Sequence, residues 1–475
     1  MRRYLRTTTV AALALLGLAA CDNSVLDVDP KDQISDEAVF TDPGLAEAFL
    51  NDIYIGLGTG FNEVMLASLT DETMMTHNYG TDRVMQSLIS SSDLGALGRG
   101  DFDHFQWNRN FLRIRQANVF LNSIDDAEFD QATKDRMKGQ AYFLRAYFYH
   151  NLLRMYGGVP VITHVYGLNE DSYLDPRNSF AETVDFIVAN ADSAAALLPL
   201  EMVGDDLGRA TKGAALALKA RVLLYAASDL YHENPSGRPE TGYTGGQDRQ
   251  AMWRAAKDAA QDVIDLGIYG LYQPNPASQE EAAQNFTDLF LQKTSEEAIL
   301  SRFYTETRTS AFGRFNGPNG YHTWGGNTPL QNLVDDFRMA DGSEFDWSNP
   351  DHAGAPYENR DPRFYGTILY DGAEWQERPD DVKDLDPYGI IQTFRELRLP
   401  NGDVVAGLDT RASPIEDWNG GYTGYLIRKY VDPTVNHQHF GQEISWMFFR
   451  YAEILLNYAE ASIALGELDD ARWAL

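Results

Sequence analysis

Residues 130–162, DQATKDRMKGQAYFLRAYFYHNLLRMYGGVPVI, constrain the fold more than any other part of the chain. Ala141, Leu144, Phe148, Leu152 and Met155 recur at helical spacing, which sets them on one stripe of a long helix facing a core. Phe143, Tyr147, His150 and Arg154 form a second stripe, aromatic in its first half and polar in its second. Such a flank fits a helix that packs on one neighbour and meets loops from another. Asp130 is placed to cap the first amides, Gly157 and Gly158 supply a left-handed stop, and Pro160 keeps the helix from resuming.

The order of residues from Gly139 to Ala146 returns from Gly213 to Ala220: small, small, large, basic, small. Two readings of this recurrence stand. Either helix pairs of the tetratricopeptide kind are stacked, or two unrelated core helices share an Ala/Leu pattern. Helical spacing also occurs in residues 43–57 and 105–124, then in 179–198 paired with 211–231. Residues 252–266 open a third pair and 445–465 a fourth, with 469–475 as the start of its mate. A chain that stops within a repeat leaves an apolar face uncovered, so the sequence is expected to be a fragment of a longer gene product. Between 273 and 444 the character changes to short apolar runs punctuated by Gly, Pro, Asn and Asp, with strand-like pieces at 298–304 and 365–370. This region reads as a loop-rich insertion folded onto the helical core, within one domain spanning 37–475.

Several blocks carry a family likeness. RAYFYHNLLRMYGGVPVIT (145–163), WRAAKDAAQDVIDLGIYGL (253–271), LVDDFRMADG (333–342), RDPRFYGTIL (360–369), GYLIRKYVDP (424–433) and FRYAEILLNYAEA (449–461) follow one another in the order of the SusD/RagB family. The chain thus resembles the lipoprotein subunits of outer-membrane nutrient-uptake systems. The resemblance implies a mainly α fold, with tetratricopeptide-like helix pairs as scaffold and an irregular insertion carrying short strands. It also implies a glycan or peptide ligand, no cofactor, and a SusC-like TonB-dependent transporter as partner.

The amino terminus agrees. Arg2, Arg3 and Arg6 precede an apolar run, residues 10–20, that is too short to anchor a chain across a bilayer and reads as an export signal. It ends Leu18-Ala19-Ala20-Cys21, a lipobox that places Cys21 for acylation; the other reading is a lone buried cysteine behind an ordinary signal. Cys21 is the only cysteine of the chain, so no intramolecular disulfide forms. Residues 21–36 suit a tether between lipid and globule. Diacylation supplies the two chains that stable anchoring needs, which predicts an outer-membrane, surface-exposed protein held by lipid alone. With a formal net charge of −31, the chain is repelled by nucleic acid and by anionic membrane surfaces.

Catalytic signatures are missing from the sequence: there is no H-E-x-x-H, G-x-S-x-G or P-loop, and His437-Gln438-His439 reads as a surface pair. The chemistry that stands out is aromatic. Residues 312–327 set Phe312, Phe315, Tyr321 and Trp324 among glycines and asparagines, and flat rings beside amide groups suit a sugar, whose C–H face stacks while its hydroxyls seek hydrogen bonds. Tyr321 and Trp324, three residues apart in a Gly-flanked turn, can point the same way as a platform, with Arg314 and Asn327 as hydrogen-bonding partners. The alternative is a loop pinned to the body by its own rings. His77 and Tyr79, and Trp107 at a helix start, are further ligand-binding candidates, Trp107 being equally readable as structural. A third aromatic loop spans 418–422. The rival function is a helical-repeat adaptor that binds only protein.

Overall fold

The computed structural model describes residues 39–475 apart from 78, 91–104, 168–173, 395 and 399–400. The expected long helix is α3, Gln131–Tyr156, after α1 (Pro43–Tyr54) and α2 (Trp107–Ser123). The Asp130 carboxylate accepts the Thr133 amide at its start, and Gly157 ends it at φ 75°. A side chain at Gly157 would also run into the Glu240 carbonyl, its Cβ 2.1 Å from that oxygen, so both the conformation and the space require glycine. The second stripe departs from expectation. Phe143, Tyr147 and His150 are buried, with Tyr147 meeting Phe448 edge-on at 5.9 Å from a strand far along the chain, and only Arg154 at the end of the stripe is exposed.

The helices stack in series. α2 packs on α3, α3 on α4 (Phe180–Leu197), α4 on α5 (Lys212–Ala227) and α5 on α6 (Arg249–Ile264). Arg145 of α3 reaches back to Asn118 of α2 at 2.8 Å, and Lys219 of α5 reaches back to Asp192 of α4 at 2.8 Å; each link spans 27 residues. Gly139 lies against Leu198 at the end of α4, and Gly213 against Tyr269 just beyond α6. Matching contacts at matching positions make the two segments a structural repeat. Ala141 and Ala215 are both fully buried, so Ala215→Leu should overpack the interface and cost about 1–3 kcal/mol. A chemical-denaturation midpoint unchanged by that substitution would show the register to be wrong.

After α6 come α7 (Gln279–Leu289), the short α8 (Pro362–Thr367), α9 (Tyr451–Leu465) and α10 (Leu468–Ala474). Helix α9, expected to open a fourth pair, packs directly on α6 as well as on α10. It also begins later than its spacing predicts, because Trp446–Arg450 is a strand, β8, paired antiparallel with β2 (Ala298–Arg302). A run of bulky residues suits a strand that buries one face, and Phe449 there is fully buried.

Within the insertion, Ile299 and Leu300 of β2 join the helical core. The rest builds small cores of its own, one around Phe312, Phe290 and Tyr430, another around Tyr321, Leu369 and Leu426, and a third around Val334, Phe364 and Tyr425. Of residues 365–370, read as a strand, the first half is the end of α8, since Pro362 and the Asp361 cap favour a helical turn; β4, Ile368–Leu369, pairs with β7, Leu426–Ile427, while β5, Glu396–Arg398, and β6, Val404–Ala406, form a separate antiparallel pair. Arg360 is 1% exposed and donates to the carbonyls of Val334, Phe337 and Pro356 while lying 4.2 Å from the Phe345 ring centre. Two of the motif blocks, 333–342 and 360–369, are therefore one unit pinned by a buried guanidinium.

Candidate ligand face

A short ladder places the aromatic residues. β1, Thr73–Met75, pairs antiparallel with β3, Asn327–Pro329, with Met75 opposite Asn327. The pairing continues past the strands: the Thr76 amide donates to the Gly326 carbonyl at 2.6 Å and its hydroxyl to the Gly325 carbonyl at 2.9 Å. This register carries His77 to Trp324, with ring centres 6.4 Å apart and planes at 89°. Trp324 is itself fixed from both sides, its amide donating to the Arg314 carbonyl at 2.9 Å and its carbonyl accepting the Gly420 amide at 3.1 Å.

The Gly420 bond brings in the third aromatic loop. Gly325 and Gly420 both have positive φ, and a Cβ at Gly325 would sit 3.0 Å from the Gly420 Cα. The two loops cross where neither has a side chain. Trp418 thereby comes within 5.8 Å of His77, which is 6.2 Å from Tyr79, while Phe315 backs Trp324 at 5.3 Å. His77, Tyr79, Trp324 and Trp418, from three distant segments, form one aromatic surface, in which Trp418 is 56% exposed and the others half-buried.

Polar groups border it. His322 Nε2 lies 2.9 Å from Asp381. Glu416 accepts the Asn419 side-chain amide at 2.6 Å, and burial raises its carboxyl above the ordinary range against the opposing pull of that bond and of His322. The exposed Tyr422 carries the Arg411 guanidinium 4.3 Å from its ring centre. Rings with carboxylates, a guanidinium and an imidazole at the edge can stack on an apolar face of a ligand and hydrogen-bond its periphery.

Four of the expected site residues do other work. Tyr321 is 4% exposed, donates its hydroxyl to the Gln376 carbonyl at 2.7 Å, and lies under the Arg378 guanidinium. Between it and Trp324 the chain passes through the left-handed conformation at His322, φ 58°, and the two rings enter different clusters. Asn327 is completely buried: its oxygen accepts from the Met65 amide and the Ser68 hydroxyl, and its nitrogen donates to the Glu63 carbonyl and the Asn316 side chain. No valence is left for a ligand. Arg314 turns its side chain toward the His437 carbonyl, 3.2 Å from Nε, and serves the site through its own carbonyl. Trp107 packs on Phe111 and Tyr156 and lines a different cavity with Pro160 and Ile162.

Trp418, on the third aromatic loop, completes the face together with Glu416 and Arg411, which the sequence did not single out. The signal for Trp418 was the glycine and asparagine beside it, the same composition that marks 312–327. His437, read as part of a surface pair, is buried over Gly313 with Nε2 2.8 Å from the Asp432 carbonyl, whereas His439 is exposed. Among the described residues no group of three or more His, Cys, Asp or Glu is arranged to hold a metal ion.

Stacked helix pairs carrying a loop-built aromatic face define a helical scaffold with one irregular, partly exposed aromatic side. Comparison with known proteins names its family: residues 292–475 match the SusD family, and residues 26–224 match a family described as starch-binding and associating with the outer membrane. The chain belongs to the SusD/RagB family. It is similar to SusD-like protein P38 of Formosa agariphila, 26% identical over 46% of this chain and 42% of that protein, so the matched part spans less than half the length of that relative. Its fold is that of a SusD-like protein of Bacteroides fragilis (24% identity, TM-score 0.70, 94% of this chain and 80% of that one). A SusD-like carbohydrate-binding protein of the same organism shares it at 20% identity and TM-score 0.67, over 92% and 78% of the two chains.

Proposed function

We propose that the protein binds glycan nutrients at the cell surface and delivers them to a SusC-like TonB-dependent outer-membrane transporter. The observation that carries this reading is the meeting of His77, Tyr79, Trp324 and Trp418, from three separate segments, on one partly exposed surface with polar groups at its edge. Its rings match the C–H faces of sugars, and Glu416, Asp381 and Arg411 are suited to hydroxyls. The carbohydrate-binding relative of like fold adds support. The face is a binding surface and the reading includes no catalytic step. A screen of oligosaccharides and peptides tests it. Binding of a soluble glycan that competes with quenching of tryptophan fluorescence is the expected result, a peptide as sole ligand would change the substrate class, and no soluble ligand at all would favour a protein-only adaptor.

Membrane attachment is part of the same proposal. Cys21 lies outside the described residues, and no helix among those described is long and apolar enough to cross a membrane. Acylation at Cys21 is then the anchor, each buried lipid CH₂ contributing about 0.8 kcal/mol. A Cys21→Ser variant is expected in the soluble fraction of cells lacking the transporter. Retention in their outer membrane would assign the anchor elsewhere.

A further inference from the structure

The charges of this chain run against its composition at one place. A cavity of about 380 Å³ between the end of α1, the first turn of α2 and the end of β2 is lined by Arg109, Arg113 and Arg302. No carboxylate is among the described residues of the lining, although the sequence carries 70 acidic residues against 39 basic ones. Thr59, Asn62 and Tyr304 add hydroxyl and amide groups, the Tyr304 hydroxyl lying 3.3 Å from that of Thr59. The size suits one small ligand. None of the rings of the aromatic face takes part.

Two of the three guanidinium groups are fixed by one nitrogen and open at the others. Arg302 donates from Nη1 to the Leu57 carbonyl at 2.9 Å. Arg113 donates from Nη1 to the Asp52 carbonyl at 2.7 Å, and to the Asp52 carboxylate and the Gln116 side chain at 2.9 Å each. Its stem lies against Gly56, where a Cβ would come within 2.7 Å of the arginine Cγ. The Nε and Nη2 atoms of both arginines make no hydrogen bond among the described residues, and unlike the Nε atoms of Arg360 and Arg428 they are not sealed from solvent. Asp52, outside the lining, offsets one charge, whereas no carboxylate among the described residues pairs with Arg302. Arg109 is exposed in the first turn of α2. A guanidinium held at one corner keeps the rest of its planar fork pre-organised for an oxyanion. Capping the carbonyls at the end of α1 accounts for the two Nη1 atoms and leaves the gathering of cations around one cavity unexplained.

We propose that this cavity binds a small hydroxylated anion, a sugar acid or a sugar sulfate, with Arg302 and Arg113 holding the oxyanion and Thr59, Asn62 and Tyr304 meeting the hydroxyls. The site is independent of whatever the aromatic face binds. Titration calorimetry of the full chain with glucuronate, glucose 6-sulfate and glucose tests it. Expected is binding of at least one anion tenfold or more tighter than glucose. Arg302→Gln should weaken that binding at least tenfold, and so should Asn62→Asp, which keeps the shape and sets a carboxylate beside the arginines. The tighter of the two anions identifies the group as carboxylate or sulfate. Equal affinity for anions and glucose, anion binding that survives both variants, or no binding of either anion would overturn the proposal. The last result would leave Arg113 and Arg302 as clamps on residues 52–57.

Discussion

Replacing Arg378 by alanine is expected to destabilise the insertion by about 3–5 kcal/mol, the range seen when one partner of a buried ion pair is removed. The side chains of Arg378 and Asp409 are wholly buried and that of Asp386 is 4% exposed. The guanidinium donates to Asp386 at 2.9 Å, to both oxygens of Asp409 at 3.0 and 2.8 Å, and to the Ile390 carbonyl at 2.6 Å. Asp409 also accepts the amides of Gly320 and Gln392, so one ion group ties the turn beneath Trp324 to two other segments. Alanine would leave two carboxylates buried without their cation. Burial by itself raises the Asp386 carboxyl, but Arg378 and the amides of Tyr388 and Ile390 outweigh it and hold the group below its ordinary value. The sign follows from linkage: this stabilisation is complete above the ordinary carboxylate range and is lost as pH falls through the depressed native value. In the variant the buried acid is free to protonate, so the gap to the parent protein should be widest near neutral pH and narrow in acid. Thermal melts and amide exchange of residues 319–323 measure both; a gap of under 1 kcal/mol at neutral pH would show the triad to be dispensable.

Trp418→Ala and Trp324→Ala are each expected to weaken binding of the cognate glycan by at least tenfold, about 1.4 kcal/mol. Covering about 100 Å² of a ring with a sugar face is worth about 2.5 kcal/mol at most, and ordering of the loops and incomplete desolvation reduce that. Rings that share one ligand should therefore give a double variant with losses approaching a hundredfold. Stability separates the two positions. Trp418 is mostly solvent-exposed, so its removal should leave the melting temperature unchanged, whereas Trp324 is half-buried against Phe315 and His77 and its removal should lower it. Calorimetric titration beside thermal melts checks this, and unchanged affinity in the Trp418 variant would take that ring out of the site.

Local rules accounted for the helices because their causes are local. The stripe on α3 and its caps involve residues a few positions apart, and the basic residues Arg145 and Lys219 sit at the same place in each repeat unit. Helix α9 shows where such rules stop. Its expected first turn runs through β8, because pairing with β2, across the whole insertion, overrode helical spacing. The second stripe of α3 was legible as a stripe, but whether it met loops or a buried neighbour depended on that same strand.

The loop composition of 312–327 and 418–422 marked where rings gather, and the sequence by itself determined that these segments are aromatic and rich in glycine, although 312–316 form a short helical turn. Which rings face solvent was decided by tertiary structure alone. Tyr321 and Trp324 differ by three residues, yet one is sealed under Arg378 and the other joins His77, since a loop has no period to orient successive side chains and each ring follows its long-range partners. Asn327 has the chemistry of a sugar ligand, and its fourfold hydrogen bonding to 63–68 and 316 makes it a structural staple. The converse holds for Trp418: its own segment gives only an exposed aromatic, and it becomes part of a surface because two chain segments cross at Gly325 and Gly420, where the lack of a side chain on either lets the backbones touch.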